Sequence, residues 1–232
     1  MDLDLTASNP GDYPHVSFTL NDLRRGLHIP EPGGEAYVLG LMYSFAYIFN
    51  YPEIPELCFL GREEDEKLFG RIRSKVEDIY NIKAKVENWK APPSEWTVGG
   101  RKVTFDEHEV SRIRYYSRGL CTHLREDYGF PTNKREIKGA RVPRRIRESA
   151  PNTQRNFLRG VFNKAVLYKE GRLYYSNKSK GFLKDVKDMM TNLGIPTPLS
   201  IRKRRGGGSY RLRASQPPTR HAVEEGIIEK HP

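Results

Sequence analysis

From residue 35 onward the hydrophobic positions change period several times, and each change marks an element. EAYVLGLMYSFAYIFN (35–50) is apolar nearly all round and too short to cross a membrane, which predicts a buried helix. ELCFLG (56–61) predicts a short strand. Over 62–81, Leu68, Ile72, Val76 and Ile79 recur at helical spacing, with acidic residues in the first turn where they suit the helix dipole. IKAKVENW (82–89) alternates as a strand does, APPSEWTVGG reads as a turn or loop, KVTF and VSRIRYYS read as strands, and 119–129 as a short helix.

The second half repeats this order. Pro151 stands near the start of a helix that includes 154–163. KAVLYKEGRLYYSN reads as two strands around Glu170 and Gly171. Over 179–194 a second amphipathic helix carries Phe182, Val186, Met189, Met190 and Leu193, with Gly194 as its C-terminal cap. A hairpin turning at 206–209 follows, and 217–230 can form a last helix. Ahead of both halves lies an arm, 1–33, with Leu20, Leu23 and Leu27 at helical spacing, closed by Pro30, Pro32 and two glycines. Helix, two strands, helix, two strands, then the same again, is an internal duplication. Gly40 and Gly160 stand 120 residues apart, and YVLGLMYSFAYIF aligns with NFLRGVFNKAVLY on them.

Composition narrows the class. A chain of 232 residues with an aromatic share of 11% can build a core, although its hydrophobic fraction is only 37%. No apolar run is long enough for a membrane span, and the acidic start shows no signal-peptide pattern. Two cysteines, Cys58 and Cys121, are too few for a disulfide framework, so a reducing, cytoplasmic setting is expected.

The net charge of +11 is unevenly spread: residues 1–80 hold 14 acids and 7 bases, and the remainder 15 acids and 33 bases. Clustered Arg and Lys are the footprint of a polyanion binder; the plainer alternative is solvated surface. One cluster is KREIKGARVPRRIR, with Lys134, Arg135, Lys138, Arg141, Arg144, Arg145 and Arg147. The other is IRKRRGGGSYRLR, with Arg202, Lys203, Arg204, Arg205, Arg211 and Arg213. Strand alternation puts Arg202 with Arg204, and Arg211 with Arg213, on one face each, Tyr210 and Leu212 lying opposite. SRIRYYSR sets Arg112, Arg114 and Tyr116 against Ile113 and Tyr115 in the same way. Arg118, Arg172, Lys178 and Lys180 flank these strands and complete the candidate nucleic-acid contacts. A groove of a duplex admits such a ribbon.

VLGLMYSFA (38–46), FLRGVFNKAV (157–166) and LKDVKDMMTNLGIP, with the element order behind them, resemble the LAGLIDADG homing endonuclease family in its single-chain, two-repeat form. The resemblance covers about residues 34–214. It implies an α+β fold of two pseudo-symmetric αββαββα repeats, their antiparallel sheets forming a saddle, with a first repeat and basic linker over 34–149, a second over 150–215, and a tail over 216–232. It implies that Ala36, Gly40 and Gly160 line the contact between the two motif helices. The family's essential acids fall at Phe45 and Ala165, which cannot hold Mg²⁺. Residues 36–52 and 149–169 contain no Asp or Glu; Glu35 stands ten residues before Phe45, and Glu170 sits in the turn that follows Ala165.

The expectation is therefore a catalytically inactive relative that grips DNA or structured RNA through Arg and Lys, without metal or other cofactor. It would be a monomer with an internal pseudo-twofold and no membrane attachment. Two alternatives stay open: an RNA-binding subunit of a ribosome or other ribonucleoprotein, and an active endonuclease with a rearranged metal site.

Overall fold

The computed structural model describes residues 32–51, 54–62, 66–98, 101–163, 166–167, 172–195, 199–203 and 208–228. The helical stretch expected at 17–29 lies outside them. Helix α1 is Pro32–Phe45. It starts earlier than the sequence predicts because Pro32, with its pre-set φ, opens the first turn and does not close the preceding segment. It also stops earlier. Ala46–Phe49 leaves the helix as strand β1 and pairs with β2, Glu56–Arg62, in the register Ala46 opposite Phe59 and Phe49 opposite Glu56. Alternation in AYIF buries Ile48 on the helix side and sends Tyr47 and Phe49 to the other.

Helix α2, Glu66–Tyr80, buries Phe69, Ile72, Val76 and Tyr80. Strand β3, Lys85–Ala91, follows. The next segment differs from its reading as a loop: Ser94–Val98 is strand β4, paired with β5, Arg101–Phe105, in a separate two-stranded ribbon. Two alternating runs around Gly99 and Gly100 carry the hairpin signal. Strand β6, His108–Tyr116, and helix α3, Arg118–Tyr128, complete the first repeat. The basic linker folds into two short helices, α4 (Lys134–Gly139) and α5 (Arg144–Arg147).

The second repeat comprises α6 (Pro151–Phe162), β7 (Val166–Leu167), β8 (Leu173–Asn177), α7 (Lys180–Asn192), β9 (Leu199–Lys203) and β10 (Tyr210–Ala214). Helix α8, Gln216–Glu224, follows. Gly194, at φ +83°, lets the chain turn at the end of α7, where its N–H reaches Thr191 O and Ile195 N–H reaches Met190 O, both at 3.0 Å.

The two four-stranded sheets have the orders β1-β2-β6-β3 and β7-β8-β10-β9, which are one topology used twice. Every strand pairing in both is antiparallel. The fold is α+β, with each sheet's inner face packed on helices. One hydrophobic core runs through both repeats, from Leu39, Phe59 and Ile113 to Phe157, Leu212 and Met190. Among the described residues no helix is long and apolar enough to cross a membrane.

Candidate nucleic-acid interface

Helices α1 and α6 meet where neither has a side chain. A Cβ on Gly40 would lie 2.1 Å from Phe157 O, 2.8 Å from Val161 N and 3.0 Å from Gly160 Cα. A Cβ on Gly160 would lie 2.1 Å from Tyr37 O, 2.8 Å from Leu41 N and 2.9 Å from Gly40 Cα. Each set is the other shifted by 120 residues, so the seam has local twofold symmetry. The same operation relates the ring contact of Tyr43 and Phe157, 6.0 Å between centroids, to the bond from Asn163 Nδ2 to Tyr37 Oη, 3.0 Å. Ala36 is fully buried in the core.

Both sheets start at the foot of this seam, so their outer faces flank it. Phe45 is the last residue of α1 and is buried; Ala165 lies outside the described residues. Beside Phe45, Ser44 Oγ donates to Val161 O and sits 3.0 Å from Tyr175 Oη. These are hydroxyl and carbonyl oxygens, and none of them is a carboxylate. Among the described residues no three His, Cys, Asp or Glu side chains converge on a possible metal position.

Glu35 does not serve the foot either. It lies at the other end of α1, fully buried, where Tyr80 Oη donates to it at 2.7 Å, Tyr128 Oη donates to its second oxygen, and His123 Nε2 lies 3.3 Å away. His123 Nδ1 is 2.6 Å from Asp127, so the histidine is a buried tie between α1 and α3. The carboxylate and desolvation push the Tyr80 hydroxyl well above its usual range, desolvation being the larger cause.

The outer face of the second sheet carries the open positive charge. Arg211 faces Arg202 across one strand pair, and Arg213 faces Ser200 and Tyr174. The guanidiniums of Arg211 and Arg213 lie 5.5 and 5.6 Å from the Tyr174 ring centroid. Among the described residues no carboxylate pairs with Arg202, Arg211 or Arg213. Lys203 alternates to the side of Tyr210 and is exposed, and Arg204 and Arg205 lie outside the described residues. Arg172 is half-buried just before β8; Lys178 and Lys180 are exposed after it.

The first sheet is different. Arg112 donates to Glu87 through Nε at 2.9 Å and Nη2 at 2.5 Å. Arg114 donates to Glu56 through Nε at 2.8 Å and through Nη2, and to Glu87 through Nη1 at 3.2 Å. Hydrogen bonds from Arg112 and Lys85 hold the Glu87 carboxyl down at about 2. The guanidiniums also stack on rings, Arg112 5.3 Å from Trp89 and Arg114 4.7 Å from Tyr116. Sequence reading missed Glu56, Glu87 and Trp89. Alternation in KVENWKA puts Lys85, Glu87 and Trp89 on one face, but only strand register sets them beside Arg112 and Arg114.

The linker arginines do not join either outer face. Arg141 crosses α7 where Gly181 has no side chain, and forks onto the buried Asp185 with bonds of 2.7 and 2.5 Å. That pairing raises the Arg141 pKa further, the hydrogen bond being the main cause. Arg147 donates to Val142 O, Arg144 pairs with Glu148, and Arg145 lies 3.8 Å from Asp127. Because α7 covers the inner face of the second sheet, the linker lies on the helical side. Arg135 and Lys138 are exposed there; α4 begins at Lys134; Arg118 is exposed at the start of α3.

Comparison with known proteins agrees with this geometry. Residues 152–217 match the family model described as a LAGLIDADG-like domain. A structure of mesophilic variants of the homing endonuclease I-DmoI superposes with a TM-score of 0.56 at 20% identity, covering 86% of this chain and 97% of that one. I-DmoI in complex with DNA and Mn gives 0.54 at 20% identity, covering 87% and 99%. The chain has the LAGLIDADG homing endonuclease-like fold. The family-model match takes in nearly all of α6 and the second sheet, and lies outside α1 and the first sheet. A curated relative, the tRNA-splicing ligase RtcB of Pyrococcus abyssi (strain GE5 / Orsay), is 26% identical over 200 residues, which are 79% of this chain and 20% of that protein. The chain thus spans about a fifth of that relative's length.

Proposed function

We propose that the chain binds duplex DNA through the outer face of its second sheet and does not cut it. The observation that carries this is the face of Arg202, Arg211 and Arg213, which no carboxylate among the described residues pairs with, on a saddle whose motif helix ends in Phe45. Binding requires donors that match phosphate oxygens, and the planar guanidinium fork supplies them. Cleavage in this fold requires carboxylates at the foot of the seam to position a cation and a water. The end of α1 is Phe45, the sequence sets Ala165 at the matching position of the second repeat, and Glu35 is ten residues up the helix, about 15 Å away, and enclosed by Tyr80, Tyr128 and His123. The I-DmoI complex with DNA supports DNA as the polyanion, and among the described residues no carboxylate pairs with Arg202, Arg211 or Arg213.

The test is duplex binding over a salt series with Mg²⁺ present. Three guanidinium–phosphate contacts alone give log K against log salt a slope of about −3, and Arg213→Gln should reduce its magnitude by about 1. A slope near zero refutes the electrostatic account, and Mg²⁺-dependent nicking refutes the non-cutting one.

A further inference from the structure

The two halves of the saddle are chemically unequal, and the inequality has a meaning for the ligand. Phe49, Trp89 and Tyr116 are 39%, 40% and 41% exposed, and all lie on the first sheet. Register places Phe49 opposite Glu56 and Glu56 opposite Tyr116, so both rings rise from one row of the outer face. Trp89 stands on the same face at the far edge strand, beside Arg112. Beyond the end of β1, Tyr51 stacks on Phe49 at 5.9 Å. The second sheet has no exposed large hydrophobic residue among those described, and presents Arg202, Arg211 and Arg213.

Apolar rings held in water on a sheet face need a flat apolar partner. The inner edges of a paired duplex give them little to stack on, because its bases already stack on one another. The faces of unpaired bases do. Glu56 and Glu87 bind Arg112 and Arg114 and so remove the free positive charge that phosphates would seek. The same pairs fix the guanidinium planes against Trp89 and Tyr116, extending the flat surface.

We propose that the outer face of the first sheet is a stacking platform for unpaired bases, so that the nucleic acid this protein prefers has an unpaired segment next to the duplex gripped by the second sheet. This rests on the nucleic-acid-binding reading above and specifies its ligand. Charge complementarity supports the occupant: a strand laid on the rings remains beside the cationic second sheet, which draws its backbone.

The experiment compares the full-length protein on a DNA duplex, the same duplex with a short central unpaired bubble, and single strands of DNA and of RNA. The bubble should bind about tenfold more tightly than the duplex, the scale of one base stacked on one aromatic side chain. Trp89→Leu and Tyr116→Leu should each remove most of that preference and leave duplex affinity unchanged. Trp89→Phe, which keeps a ring, should retain it. Preference for the RNA or for the DNA single strand identifies the source of the bases, and either supports the platform. Equal affinity for bubble and duplex overturns the inference, as does an equal loss on both probes in Trp89→Leu and Tyr116→Leu. If duplex binding stays salt-sensitive in that case, only the platform falls; if no probe binds with salt sensitivity, the nucleic-acid reading falls with it.

Discussion

Gly40→Ala places one methyl group where two helix backbones touch. The new Cβ would stand 2.1 Å from Phe157 O and 2.8 Å from Val161 N. Ordinary contact needs about 3.4 Å, so α1 and α6 must part by about 1 Å, and neither obstacle is a side chain that can rotate away. Overpacking of this kind costs about 3 kcal/mol, the upper end of its usual range. The better helix propensity of Ala returns about 1 kcal/mol, leaving a net loss of about 2 kcal/mol. Gly160→Ala should lose about as much, because its contacts are the symmetric ones. The double variant should lose less than the sum, since the first methyl already opens the seam for the second. Gly70→Ala is the opposite-signed control: it is an exposed position in α2 with nothing within 4 Å of a new Cβ. It should gain about 0.5–1 kcal/mol through propensity alone. Urea unfolding followed by far-ultraviolet circular dichroism measures all four variants. A Gly40→Ala protein as stable as the wild type would refute the close seam. So would Gly40→Ala and Gly160→Ala losses differing severalfold.

Glu87→Gln removes a carboxylate that binds Arg112 and Arg114, and should strengthen duplex binding and steepen the salt slope by about 1. The folded Glu87 carboxyl titrates at about 2, below its ordinary 4.5, so its contribution to stability is present above about 4.5 and is lost as pH falls toward 2. In Glu87→Gln the stability profile should be flatter across that window. Asp185→Asn weakens the fork that ties the linker to α7 and should cost about 2 kcal/mol, measured by urea unfolding, with earlier proteolytic nicking between α4 and α6. Burial, ahead of the nearby Glu56, pushes the Cys58 thiol up to about 11 and the Cys121 thiol up to about 12. Neither should react with maleimide at neutral pH until the protein unfolds, as read by mass spectrometry.

What could be read from the sequence was whatever repeats locally. Alternation in SRIRYYSR fixes which face of β6 is buried, and the spacing of Gly40 and Gly160 points to the seam. The end of α1 was not legible, because an all-apolar run keeps its composition when it passes from helix to a strand with a buried face. The division of the arginines was not legible either. Arg141 and Arg211 look alike in a list of bases, yet one is held by Asp185 and the other lies beside Arg202 and Tyr174. Those partners are 44 residues away in one case, and set by strand register in the other. The same holds for Glu56 and Glu87, whose acidity reads as solvated surface until β6 lies between them.

Among the described residues the β4–β5 ribbon has no counterpart in the second repeat, where only residues 204–209 separate β9 from β10. Five residues in each strand span about 17 Å, the length of some five base-pair steps. A protein with two equal halves would sit on a duplex equally well in either direction. This one has a long flank and a short one, so the duplex complex proposed above would have a head and a tail. A bound complex would carry a fixed direction along the strand, and a palindromic site would match only half of it.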